Sequence, residues 1–184
     1  MNLFINNTQH IVLIGFKHVG KSIIGKHLAK QCEIPYFDLN KQVEQLYSST
    51  FTKALYKEIL DLHGEPFFRR LESDALAQAV NAKPSILSIG EGTLLTSTNQ
   101  KLIESSTIIH ITAPEGIVFE RILTSGRPAF LKDNENLVEA FKRLWNERNK
   151  IYERISHFSI VNKGSIEDAI NQILLQLAPE EIAL

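Results

Sequence analysis

Short apolar runs alternate along this chain with longer stretches in which apolar positions recur every three or four residues. The short runs, rich in β-branched residues, read as strands at Ile11–Gly15, Tyr36–Asp38, Ile86–Gly90, Ile108–Thr112 and Phe158–Asn162. The longer stretches predict helices over Lys21–Cys32, Lys41–Tyr47, Phe51–Ile59 and Phe67–Ala79 in the first half. In the second half they predict helices over Asn99–Ser105, Pro114–Leu123, Leu137–Arg154 and Ile166–Leu177. Strands alternating with amphipathic helices imply an α/β fold, a mostly parallel sheet covered on both faces. Punctuation supports several boundaries: Asn40 can cap the helix that follows it, Gly64 ends one helical stretch, and Pro114 sits at a helix start. The stretch Thr124–Glu135 breaks the pattern. It is polar, contains Gly126 and Pro128, and reads either as a mobile loop that closes over a site or as an ordinary surface connection.

Composition narrows the picture. The 184 residues suit one domain, with no repeat or linker, and can bury a substantial core. The net charge is −1, and no basic tract points to nucleic acid. One cysteine, Cys32, excludes a disulfide framework, and the six histidines are scattered without helical ligand spacing. The N-terminal residues carry no export signal, and no apolar run approaches a membrane span, so a cytoplasmic protein is expected.

The chemistry begins at Gly15-Phe16-Lys17-His18-Val19-Gly20-Lys21-Ser22, which fits the phosphate-loop pattern G-x-x-x-x-G-K-[ST] between a strand and a helix. Backbone N–H groups of such a loop and of the first helical turn, here through Val19, Gly20 and Ile23, converge on phosphate oxygens. Lys21 adds a cation for the β- and γ-phosphates, and the Ser22 hydroxyl suits Mg²⁺. ATP and Mg²⁺ are the expected co-substrate and cofactor.

A phosphate loop does not name the second substrate. Asp38 and Asn40 lie at the carboxyl end of the second strand, where α/β sheets bind ligands. They serve a metal ion and the cleft, or merely cap the next helix. In Gly64-Glu65-Pro66-Phe67-Phe68-Arg69-Arg70-Leu71-Glu72, Arg69 and Glu72 are spaced to pair. Arg69 is then either a fork for a carboxylate ligand or half of a solvated ion pair. Gly90-Glu91-Gly92 follows a strand, where paired glycines admit a ligand to the backbone or make a tight turn. Arg127, in the expected lid, and Arg148 complete the set of candidate cations.

In this order the motifs resemble those of shikimate kinases, P-loop kinases related to the nucleoside-monophosphate kinases. The pieces are G-F-x-x-x-G-K-S, L-A-K with F-D-x-N, G-E-x-x-F-R-R-L-E, G-E-G, R-P and R-N-x-x-Y, spanning about Ile11 to Leu177. The resemblance implies a three-layer fold with a five-stranded parallel sheet of order 2-3-1-4-5, a lid at about 124–135 and an acceptor-binding helical region at about 40–72. It implies transfer of the ATP γ-phosphoryl group to a ring hydroxyl of shikimate by a monomer. Lys21 and Ser22 match the phosphate lysine and the magnesium hydroxyl, Asp38 a magnesium-associated acid, and Arg127 the lid arginine. Arg69 and Arg148 match the pair that holds the shikimate carboxylate, and Arg121 an arginine packed on adenine. Asn40, Glu91 and Gly92 fall at the remaining acceptor positions.

Two of those positions depart from the family pattern. Asn40 stands where the family has a second Asp, and an amide accepts a hydrogen bond but is no useful base. Glu91 interrupts a triple glycine. It compensates for the lost carboxylate, or neutralises Arg69 or Arg148 and disfavours a carboxylate substrate, or points to solvent. Kinases of the same fold acting on another polyol or hydroxy acid, and a non-catalytic nucleotide-binding relic, remain alternatives.

Overall fold

A computed structural model of the chain describes residues 9–125 and 136–178. The residues Gly126, Arg127 and Pro128 of the expected lid lie outside the described residues. Five strands, β1 (Ile11–Ile14), β2 (Tyr36–Asp38), β3 (Ile86–Ser88), β4 (Thr107–Thr112) and β5 (Phe158–Val161), form one parallel sheet of order β2-β3-β1-β4-β5. This is the order that the resemblance implied. All four pairings are parallel, with β1 central between β3 and β4.

The period of two along β1 decides how the layers stack. Ile11 and Leu13 face one side, into a core with α1 (Lys21–Cys32), α5 (Glu115–Thr124), α6 (Leu137–Ile155) and α7 (Ile166–Leu177). Val12 and Ile14 face the other, packing with Leu87, Ile108 and Tyr152 and with α2 (Leu39–Ser48) and α3 (Tyr56–Val80). A parallel strand buried on both faces must be apolar throughout, and β1 is.

Of the boundaries that differ from expectation, three have clear local reasons. Asp38 rather than Asn40 caps α2: its carboxylate accepts the Asn40 N–H at 3.1 Å, which places Asn40 inside the helix. The helix expected from Phe51 begins at Tyr56. Phe51 instead stacks on Tyr47 at 4.7 Å, and the Glu58 carboxylate accepts the Leu55 N–H at 2.6 Å to start the helix there. That helix then runs on past Gly64 to Val80, but Gly64 at φ 77° and ψ 169° breaks its geometry, so a sharp kink separates the two stretches seen in the sequence. A 3₁₀ turn (Thr93–Leu95) and α4 (Ser97–Leu102) complete the described elements.

Candidate active site

The parallel order gathers the carboxyl ends of all five strands along one edge of the sheet. The phosphate loop leaves β1 in the middle. Asp38 and Gly90-Glu91-Gly92 lie on the β2–β3 side, and Asn162 on the β5 side. One edge therefore presents polar groups on both sides of the loop.

The loop's form is imposed by sterics. Gly15 has φ 141°, and a Cβ there would land on the Ile111 carbonyl oxygen. Lys21 closes the ring, its ammonium donating to the Gly15 and Phe16 carbonyls at 2.9 and 2.8 Å. Burial pushes this ammonium down to about 8, against the opposing pull of Glu91 and Asp38. Ser22 Oγ donates to Asp38 Oδ2 at 2.8 Å, and the Tyr36 hydroxyl donates to the same oxygen at 3.2 Å. The Ser22–Asp38 pair is an all-oxygen donor set beside the phosphate loop. It suits Mg²⁺, which takes one or two protein oxygens and completes its shell with phosphates and water.

On the β5 side a cavity of about 590 Å³ is lined by Lys21, Ser22, Ile23, Arg121, Asn162 and Gly164 among others. Arg121 reaches across to donate to the His18 carbonyl at 2.8 Å. Asn162 donates to the Val19 carbonyl at 2.9 Å and so ties β5 to the loop. Asn162 and Gly164 carried no signal in the sequence, because only the sheet order brings β5 near the loop.

On the β2–β3 side two arginines differ in how they are held. Arg69 is committed to the protein. Its Nη1 donates to Glu72 at 2.8 Å, and Nε and Nη2 donate to Glu65 at 3.2 and 3.0 Å. Glu72, 1 % exposed, also accepts the Thr93 hydroxyl at 2.7 Å. Arg148 is 7 % exposed, with its guanidinium 5.6 Å from the Phe16 ring centre. Its Nη1 lies 3.1 Å from Glu91 Oε2, but the approach is out of line, and neither Nη1 nor Nε makes a hydrogen bond. Glu91 Oε2 also accepts the Lys17 N–H at 3.2 Å, and the Tyr152 hydroxyl donates to the Glu91 carbonyl at 2.5 Å. Glu91 thus points at Arg148 and the phosphate loop rather than into solvent. Asn40 faces the same place: its Oδ1 would lie 3.5 Å from a Cβ added at Gly90.

The structure brings Asp38, Asn40, Arg69, Glu91, Gly92 and Arg148 together on the β2–β3 side of the loop, and Lys21, Ser22, Ile23 and Arg121 around the β5-side cavity. Arg127 lies outside the described residues. Glu72, Tyr152 and Tyr56 were missed as parts of the site. Tyr56 is half-buried; its phenol is pushed up first by burial, then by the charges of Glu91 and Asp38. Its place at the start of α3 was hidden by the misplaced helix boundary.

Gly92 is steric rather than conformational in purpose. A Cβ there would lie 2.6 Å from Arg69 Nη1 and 2.7 Å from Cζ. The obstructing atoms are the tip of a flexible side chain, so Gly92→Ala should displace the guanidinium more than it destabilises the fold. We expect a melting temperature within about 4 °C of wild type and roughly tenfold weaker acceptor binding. A variant with both properties unchanged would show that Arg69 need not sit where it does.

The shikimate kinase family model matches residues 17–178. The chain belongs to the shikimate kinase family. It is 30 % identical to the shikimate kinase of Alkaliphilus oremlandii over 173 residues, which cover 92 % of this chain and 99 % of that one. Among solved structures it is similar to the Aquifex aeolicus shikimate kinase, at 27 % identity and a TM-score of 0.73 over 92 % of this chain and 96 % of that one. The Acinetobacter baumannii shikimate kinase, solved in complex with shikimate, shares its fold at a TM-score of 0.81 and 23 % identity, covering 93 % and 94 % of the two chains. Family membership makes the chain a phosphotransferase of hydroxyl acceptors that uses ATP.

Proposed function

We propose that this chain transfers the γ-phosphoryl group of ATP to a ring hydroxyl of shikimate, giving shikimate 3-phosphate and ADP. The observation that carries the reading is Arg148. It is a buried guanidinium packed on Phe16 of the phosphate loop, with Nε and Nη1 making no hydrogen bond and Glu91 3.1 Å from Nη1. A buried cation without hydrogen-bond partners is a site for an anion from outside. A planar carboxylate fits its fork.

In this reading Lys21 leaves the Gly15 and Phe16 carbonyls for the β- and γ-phosphates, Arg121 flanks the adenine in the β5-side cavity, and Arg127 comes in from the lid. Ser22 and Asp38 would hold Mg²⁺, which would supply charge neutralisation for the phosphates. Arg69 and Arg148 take the acceptor's carboxylate, and Gly92 leaves room for it. Asn40 holds an acceptor hydroxyl through its amide oxygen but cannot remove the proton. Phosphoryl transfer tolerates this, because positioning and electrostatic stabilisation supply most of the catalysis. In this reading the protein acts as a monomer in the cytoplasm.

The contact between Glu91 and Arg148 favours one second reading, a small polyol acceptor without a carboxylate. A coupled ADP-release assay with shikimate against a panel of polyols and hydroxy acids separates the two. We expect Mg²⁺-dependent turnover with shikimate, and ADP release only with a neutral polyol would overturn that expectation.

A further inference from the structure

We propose that Glu91 is a specificity-determining residue, a carboxylate built into the chain that competes with the acceptor's carboxylate for Arg148. The inference rests on the acceptor reading above and deepens it.

Three observations support it. First, Glu91 Oε2 lies 3.1 Å from Arg148 Nη1, a position from which it compensates the buried charge. Second, the compensation is incomplete. Nη1 and Nε of Arg148 remain without a hydrogen bond, so an external carboxylate that approached Nη1 in line would satisfy a donor that Glu91 leaves unsatisfied. Third, Glu91 can leave. Its side chain is 25 % exposed, and beside the charges of Lys17 and Lys21 the hydrogen bond that holds its carboxylate among the described residues is from the Lys17 N–H at 3.2 Å, whereas Arg148 is nearly enclosed and packed on Phe16.

Binding is then an exchange. The free protein holds Arg148 against Glu91, and the acceptor displaces Glu91 into the cleft mouth. The occupied fraction lowers the apparent affinity for every carboxylate acceptor, as any unproductive conformer does. The exchange also favours acceptors that engage the fork with two oxygens over those that present one. Glu91 thus sharpens selection at the expense of affinity, the logic of a repulsive element placed in a binding site.

The test is a calorimetric titration of shikimate into the ADP-bound full-length protein, comparing wild type with Glu91→Gln and Glu91→Gly, each alone and with Arg148→Ala. Removing the competing charge should tighten shikimate binding by roughly tenfold in both single variants. The gain should vanish in the Arg148→Ala background, since the two groups act on one equilibrium. Glu91→Gln keeps an acceptor for the Lys17 N–H, so a purely structural role for Glu91 in the phosphate loop would move the ATP KM of Glu91→Gly and leave shikimate affinity alone. Unchanged or weaker shikimate binding in Glu91→Gln and Glu91→Gly overturns the proposal, even where ADP release from shikimate shows that the acceptor is right. Tighter binding in those variants with no ADP release from any of them overturns the acceptor reading and leaves the competition standing. Failure of shikimate to bind any of the proteins overturns both.

Discussion

Replacing Lys21 by Ala will reduce phosphoryl transfer by on the order of 10³-fold or more, the loss expected when a cation that stabilises the transferring group is removed. The effect is large because the site has been arranged around this ammonium at some expense. It is partly buried at the wall of the β5-side cavity, and that burial holds it at about 8, well below a lysine in water. Two backbone carbonyls hold it in the absence of a ligand, at 2.9 and 2.8 Å. A polyphosphate offers it full negative charge in place of those dipoles. Nucleotide affinity should therefore fall together with turnover, and equal ATP affinity for wild type and Lys21→Ala in calorimetry would remove Lys21 from the phosphate site. The same pKa fixes a sign. Below about pH 7 Lys21 is protonated with or without ligand, and binding moves no proton at this group. At about pH 9 the free protein has largely lost that proton, and polyphosphate binding restores it, so ATP binding should take up protons and weaken as pH rises. Titrations in buffers of different ionisation enthalpy would read this directly.

How much of this was legible in the sequence depends on how local each feature is. The phosphate loop is set by eight consecutive residues, and its strand and helix flanks were visible from period alone, so it was readable in full. The α1 and α7 bounds were matched at both ends for the same reason. The start of α2 was missed by two positions because Asp38 and Asn40 are both good N-caps. The choice between them falls where β2 stops pairing with β3, at Asp38 opposite Ser88. Phe51 was placed in a helix because its spacing fits one, but its ring is used against Tyr47 instead. The sheet order followed from the family resemblance rather than from periodicity, which cannot order parallel strands. What depends on that order was correspondingly opaque. Asn162 meets the phosphate loop only through β5, and Tyr152 meets Glu91 only because α6 crosses that face of the sheet. The sequence left three directions open for Glu91. Its direction is decided by β3 lying beside β1 and by Arg148 arriving from a helix more than fifty residues away.

Replacing Arg148 by Ala should raise the acceptor KM by about 10- to 150-fold, the range for loss of a charge-assisted hydrogen bond, while the ATP KM holds. The same substitution at Arg69 should look different, and the comparison tests whether the two arginines share a task. Among the described residues Arg148 is held by an out-of-line contact with Glu91 and by packing on Phe16. Its removal frees Glu91, which can turn towards water, so the melting temperature should change little. Arg69 instead neutralises Glu72, which is 1 % exposed and would be left as a buried anion with the Thr93 hydroxyl as its remaining side-chain donor. Breaking one side of such a pair is destabilising even where the intact pair adds little. Since Arg69 is partly exposed, we expect about 2 kcal/mol of lost stability, a fall of roughly 4–8 °C in Tm, on top of the acceptor KM effect. Glu72→Gln in the Arg69→Ala background should recover much of that stability by removing the unpaired charge, without recovering acceptor affinity. Steady-state kinetics and thermal melts on the same four proteins decide the matter. Should Arg148→Ala lose thermal stability with its acceptor KM unchanged, Arg148 is a structural residue and the carboxylate is bound elsewhere. A rise in acceptor KM for Arg148→Ala with none for Arg69→Ala would leave Arg148 as the anion site and confine Arg69 to holding Glu72 in place.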